Sequence, residues 1–132
     1  MIDIEPEVFN EAYEAITQVF PTMYVVNEIV LNPPTLPCVC IEEISNSVNQ
    51  QTIDSGSNEN WVNLDYEARV YVNNTSLKKK NARDIMTTVD EYFLAKGFIR
   101  TNSSFIGFDD GTKYEMICRY SCTANNDYIA RR

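Results

Sequence analysis

Residues 61–73 read Trp-Val-Asn-Leu-Asp-Tyr-Glu-Ala-Arg-Val-Tyr-Val-Asn, and the alternation in this stretch decides the fold. Successive side chains of a strand point to opposite sides of a sheet, so Val62, Leu64, Tyr66, Ala68, Val70 and Val72 share one apolar face. Trp61, Asn63, Asp65, Glu67, Arg69 and Tyr71 share the other. The first face is core. The second mixes two large aromatics with charges of both signs, more than a solvated face requires and less than a buried one tolerates, so a subunit interface or a covering loop is expected over it.

Helical patterns lie on both sides of this strand. Near the N-terminus, Pro6 suits a first helical position, acidic residues crowd the positive end, and Val8, Phe9, Ala12, Tyr13, Ile16, Val19 and Phe20 recur at helical spacing until Pro21 stops them. After residue 74, Thr75 or Ser76 is suited to cap a second helix from about Leu77 to Lys96. Its stripe is Ala82, Ile85, Met86, Val89, Tyr92 and Phe93, and Gly97 supplies a left-handed stop. Two strands are expected before residue 61, Met23 to Leu31 and Cys38 to Ile44. A short strand at Phe98 to Thr101 and a hairpin of Phe105 to Phe108 with Lys113 to Thr123 are expected after the second helix. In that last strand Tyr114, Met116, Cys118, Tyr120 and Cys122 share a face, with Lys113, Glu115, Ile117, Arg119 and Ser121 opposite.

The order α-β-β-β-α-β-β, with a short further strand, predicts an α+β fold in which a largely antiparallel sheet is covered by two helices. At 132 residues the chain fits one domain, 1–132. Between residues 45 and 60 the composition turns to Ser, Asn, Gln, Thr and Asp, which predicts a long mobile loop of the kind that contacts partners. Asn49, Gln50, Gln51, Asp54 and Asn58 are its candidate contact residues.

The formal charge of −8 and pI near 4.4 disfavour binding to the nucleic-acid backbone and suit a surface that DNA passes without sticking. No segment reaches the roughly 18 to 20 apolar residues of a membrane span, and Asp3, Glu5 and Glu7 stand where a signal peptide is basic, so no membrane association and folding in the cytoplasm are expected. The four cysteines, Cys38, Cys40, Cys118 and Cys122, lack zinc-knuckle or redox spacing; at even separations on strands they read as small hydrophobes.

With no histidine, catalysis would fall to carboxylates, Lys, Tyr, Cys or a metal. Asp65, Glu67 and Arg69 project to one side of a strand, the arrangement of some metal-dependent nucleases, but a cross-strand ion-pair ladder makes the same pattern and is commoner. Lys78, Lys79 and Lys80 are the one basic cluster; placed at a helix start they oppose its dipole, which hints at a salt bridge to another subunit. No glycine-rich phosphate cradle and no constellation amounting to an active site are found, so neither enzymatic activity nor a cofactor is expected.

The run Tyr66 to Asn74, then Lys79-Lys80-Asn81-Ala82-Arg83-Asp84-Ile85, then Ala95-Lys96-Gly97-Phe98-Ile99-Arg100, resembles the tail-terminator or tail-completion proteins of siphophages. Lys113-Tyr114-Glu115-Met116 through Cys118-Arg119-Tyr120 resembles their last strand, and Val19-Phe20-Pro21 and the strand from Pro37 to Glu42 fit the same layout. The resemblance implies a virion structural protein, assembled in the bacterial host cytoplasm. Such a protein forms a ring, expected to be a hexamer, that caps the tail tube and meets the head connector or stopper protein. A different neck protein is the alternative, and a nuclease built on Asp65 and Glu67 a more distant one. A closed ring needs two different complementary patches on each subunit. The candidates are the face of Trp61, Asp65, Glu67, Arg69 and Tyr71 for one, with Arg119 and Lys78, Lys79 and Lys80 as its partners; the polar loop would reach a tube or connector protein.

Overall fold

A computed structural model describes residues 1–30, 32–49, 61–107, 113–125 and 129–130. Its elements are α1 (Glu5–Val19), β1 (Tyr24–Val26), β2 (Cys38–Val48), β3 (Val62–Asn73), α2 (Lys78–Lys96), β4 (Ile99–Gly107), β5 (Lys113–Ala124) and β6 (Ile129–Ala130). The sheet runs β1-β2-β3-β5-β4, with the short β6 beside β5. Every pair is antiparallel except β1 with β2. Both helices lie on one face, α1 over β2 and α2 over β3, β5 and β4, so the chain is the expected α+β fold with a largely antiparallel sheet.

The apolar face of β3 is the core face: Val62, Leu64, Tyr66, Ala68, Val70 and Val72 are all buried. β5 sets Tyr114, Met116, Cys118, Tyr120, Cys122 and Ala124 beside them in direct register. Within α1 only Val8, Ala12 and Ile16, a single four-residue row, are fully buried, while Phe9 and Phe20 pack at the margin. The stripe is narrower than expected, for Tyr13 and Val19 face outward. In α2, Ala82, Ile85, Met86, Val89 and Phe93 are buried as the periodicity predicts.

Phe93 is the hub of the core. It stacks on Tyr120 with ring centroids 4.4 Å apart and meets Phe98 edge-on at 5.0 Å, the geometries that aromatic quadrupoles favour. Tyr66 completes the group, edge-on to Phe98 at 5.2 Å. The Tyr120 hydroxyl donates to Asp90 Oδ1 at 2.8 Å, and Arg100 holds Asp90 Oδ2 at 2.8 Å, so this buried hydroxyl has a partner. The two helices are joined at Glu11, which accepts from the Tyr92 hydroxyl at 2.9 Å and from Lys96 at 2.8 Å. Burial acts to raise the Glu11 pKa, yet the hydrogen bonds from Lys96 and Tyr92 outweigh it and hold the carboxyl below its usual value.

Four local expectations are corrected. Neither Thr75 nor Ser76 caps α2: Leu77 occupies the cap position with no side-chain bond, and the start is closed by backbone bonds from Lys78 N–H to Thr75 O and from Asn81 N–H to Leu77 O. β1 is only Tyr24–Val26 because its one neighbour offers it Cys38, Val39 and Cys40 alone. β4 is continuous through the polar run Thr101 to Ser104, held by β5 across a bulge between Arg100 and Asn102. β2 does not stop at Ile44 but continues to Val48, pairing Ser45 with Asp65 and Val48 with Val62, so residues 45–48 of the expected loop are strand. At α2's end Gly97 adopts φ 116°, and a Cβ there would lie 3.2 Å from the Ile129 carbonyl oxygen, so backbone and space both call for glycine.

Candidate functional site

The candidate interface face of β3 is the side of the sheet away from α1 and α2, and register places its neighbours. Across β3 and β5, Asn63 faces Thr123, Asp65 faces Ser121 and Glu67 faces Arg119. Each of these pairs is hydrogen-bonded: Thr123 Oγ1 donates to Asn63 Oδ1 at 3.2 Å, Ser121 Oγ donates to Asp65 Oδ1, and Arg119 Nε donates to Glu67 Oε1 at 2.9 Å. Arg69 Nε takes the other Glu67 oxygen at 2.8 Å, and Arg69 Nη1 reaches Glu115 Oε2 at 3.3 Å. The result is a continuous charge chain, Glu115 to Arg69 to Glu67 to Arg119.

Burial in this chain is uneven. The side chains of Glu67 and Glu115 are 4% and 3% exposed, Arg69 22% and Arg119 53%. Two carboxylates thus lie beneath two guanidinium groups, and Arg69 is the arm that has lost most of its water. Burial acts to lower the Arg69 pKa, but Glu67, Tyr71 and Glu115 together raise it above its ordinary value, so the cation is secured. With both Glu67 oxygens held by arginine and Asp65 bonded to Ser121, these acids are arranged as an ion-pair ladder and not as an open pair of metal ligands. Among the described residues no group of three or more His, Cys, Asp or Glu side chains could hold a metal ion.

Tyr71 departs from the expected interface. It is fully buried in a second, smaller apolar cluster with Cys38 and Cys40, covered by Tyr24, Val26, Ile29, Val30 and Leu36. A covering segment therefore seals this end of the face, and Tyr71 is unavailable to another subunit. All four cysteines are buried and free; Cys38 and Cys40 share a face with their sulfurs 3.9 Å apart. Trp61, Asp65 and Arg69 remain half-buried and Arg119 exposed, so the accessible part of the face lies along these four.

The lysines of α2 lie on the opposite side of the sheet, and each has a place within the chain. Lys78 donates to Asn74 Oδ1 at 2.9 Å and stands 5.2 Å from the Tyr114 ring; Lys79 stands 5.2 Å from the Phe105 ring; Lys80 pairs with Asp84 at 2.8 Å. Arg83 joins them, 5.5 Å from Phe105, which itself stacks on Tyr114. These aromatic contacts link the start of α2 to β4 and β5. Of the loop candidates, Asn49 is described: its N–H donates to Trp61 O at 2.9 Å, closing the β2–β3 ladder. Gln50, Gln51, Asp54 and Asn58 lie outside the described residues.

One further acid was not foreseen from sequence. Glu43 faces Tyr66 across β2 and β3 on the helix-covered side, and its own N–H donates to Glu5 Oε2 at 2.8 Å. Burial pushes the Glu43 carboxyl up, and the negative charges of Glu5 and Asp3 add to this, against the hydrogen bonds of Tyr66 and Asn46. A raised native pKa means that the folded chain binds more protons than the unfolded one, so this group's contribution to stability falls as pH rises from the ordinary glutamate range through the raised value. Glu43→Gln removes the titration. The urea midpoint of the variant should therefore gain on that of the wild type between about pH 4 and pH 7; a constant difference across that window would exclude the effect.

Two shallow grooves flank α2. One, about 290 Å³, is lined by Phe20, Met23, Val72, Asn81, Asp84 and Ile85 among others. The second, about 220 Å³, lies between α2 and β4 and includes Arg83, Asp90, Arg100 and Ser103. The second groove also holds Cys118, whose thiol pKa is pushed up by burial, while its one carboxylate, Asp90, is engaged by the Tyr120 hydroxyl and by Arg100. No described helix is long and apolar enough to cross a membrane.

No family model and no curated protein matches the sequence. The structure is similar to that of the bacteriophage SPP1 gp17 protein, with a TM-score of 0.52 and 19% sequence identity over 94% of this chain and 91% of that one. At this identity the likeness establishes a fold shared along nearly the whole of both chains.

Proposed function

We propose that this chain is a structural protein of a phage virion, a tail terminator that closes into a ring, caps the tail tube and joins it to the head connector. The observation that carries the reading is the fold shared with a bacteriophage protein along nearly the full length of both chains. The sequence motifs from Tyr66 to Arg100 support the same family, and the occupied carboxylates of Glu67 and Asp65 favour a structural role over a nuclease.

In this role the partners are further copies of the chain, the tail tube protein and the connector or stopper protein. DNA passes through the ring without specific binding, helped by a net charge of −8 that withholds the counterion-release attraction. The protein acts in the virion and requires no cofactor. A hexamer is the expected ring, since the tube it caps is expected to share its symmetry.

Electron microscopy of the purified chain should show rings with a central channel, and the gene's deletion should give tails of uncontrolled length. A strict monomer at high concentration together with normal tails would overturn the reading. Should rings form but co-purify with the head connector alone and leave tail length unchanged, the neck alternative would replace the terminator.

A further inference from the structure

The charge of this chain is divided along the sequence to an unusual degree. The first 68 residues hold twelve carboxylates and not one lysine or arginine; the remaining 64 hold all eleven bases and seven acids. The strand order turns this division into two flanks. Residues 1–48 build α1, β1 and β2, which occupy one side of the sheet, whereas α2, β4 and β5 occupy the other.

On the first flank Asp3, Glu7 and Glu14 are exposed, Glu42 is half-exposed on β2, and Ile44 and Val48 of the same strand are exposed apolar side chains. β1 pairs only with Cys38 to Cys40, so among the described residues no strand pairs with the outer edge of β2 from Ile41 onward, where the Glu43 N–H is taken by Glu5 Oε2. On the second flank β4 ends the sheet, with Ile99 and Ile106 exposed, and Lys79, Arg83 and Arg100 stand around it, the first two over Phe105 of that strand.

Three properties of the flanks match. The charges are opposite. Both carry exposed branched aliphatics beside a strand edge, which suits pairing with another chain. In direction, β2, β3, β5 and β4 alternate strictly, so the β2 of a second copy set beside β4 continues the antiparallel order. Lysines at the start of α2, where no acid occupies the first turn, also cost the isolated subunit helix stability and are better placed opposite an external carboxylate.

We infer that the subunit associates head to tail with a second copy of itself, the acidic β2 flank of one against the basic β4 flank of the next. This rests on the ring reading and assigns its two patches differently from the face of Asp65 and Arg119, whose charges are satisfied within the chain. A contact of this kind is heterologous, and it closes when the rotation per subunit allows. Charge across it steers association and weakens as salt shortens the Debye length.

The test is a charge exchange. Asp3→Lys with Glu42→Lys makes both flanks basic; Lys79→Glu with Arg83→Glu makes both acidic. All four side chains are exposed or half-exposed, so each variant should fold, with a melting temperature lowered by no more than a few degrees for the lost Phe105 contacts or the lost bond from the Glu5 N–H to Asp3. By light scattering and electron microscopy at low salt, each variant alone should lose self-association at least tenfold relative to wild type. An equimolar mixture should recover it, in assemblies containing the two variants in equal number. Assemblies formed undiminished by either variant alone keep the ring and overturn this contact. Restored dimers or open chains without closure keep the contact and overturn the ring. A wild type that stays monomeric throughout overturns both.

Discussion

Phe93→Ala should cost about 3 to 5 kcal/mol of folding free energy and lower the melting temperature by roughly 10 to 20 °C. Phe93 has no solvent exposure and touches the Tyr120 face, the Phe98 edge and Tyr66, so truncation opens a cavity walled by rigid rings and β-sheet that cannot collapse into it. It also joins α2 to the centre of the sheet. Leu at the same position should recover part of the loss, because it refills volume without restoring the stack. Urea unfolding monitored by the far-ultraviolet signal measures both; a loss below about 1 kcal/mol for the alanine variant would mean that α2 repacks and that Phe93 is not the hub.

The second large effect is expected at Glu67. Its carboxylate lies beneath Arg69 and Arg119, and Glu67→Ala takes from a guanidinium that is 22% exposed its shortest ion pair, leaving the longer contact to Glu115 and that of Tyr71. Removing one member of a buried pair is strongly destabilising because the other charge stays desolvated. The cost here is about 2 to 3 kcal/mol, at the lower end because Arg119 can turn to water. Arg119→Ala, by contrast, removes an arm that is 53% exposed and should cost less than about 1 kcal/mol. Equal losses for the two variants would contradict the unequal burial on which the argument rests.

The parts of the fold legible in sequence are those in which side-chain period and burial agree. The α2 stripe from Ala82 to Phe93 and the β3 face from Val62 to Val72 were both readable, since one surface of each element meets the core. The Gly97 stop was readable because a left-handed cap nearly demands that residue. The segments from Ser45 to Val48 and from Asn102 to Ser104 were not, for they are held as strands by backbone pairing with β3 and β5 while their side chains carry little apolar signal. Composition reports side-chain burial; it is nearly blind to a strand whose stability comes from its neighbours.

The same limit governs the candidate site. Alternation placed Asp65, Glu67 and Arg69 on one side of β3 and Glu115, Arg119 and Ser121 on one side of β5, but only register shows that Glu67 faces Arg119 and Asp65 faces Ser121. Tyr71 read as an interface aromatic because its cover comes from Tyr24, Ile29 and Leu36, far away in sequence and linked to it by no periodic pattern. Lys79 read as a partner for another subunit and Arg83 carried no site reading, because Phe105 is brought beneath them only by the pairing of β4 with β5.

The central pair of the sheet joins β3 to β5, strands separated in the chain by α2 and β4. Even its nearest partners, Asn73 and Lys113, close a loop of roughly 40 residues, so this pairing forfeits much chain entropy before it yields any contact. The β4–β5 and β2–β3 pairs and the turns of α2 are local by comparison, so joining β3 to β5 is the costly step. Folding should therefore run on the millisecond-to-second scale of topologies rich in distant contacts. Until that step is complete, β3 and β5 each expose the strand edge that the other will occupy, an edge that a neighbouring nascent chain can fill as readily as the subunit's own.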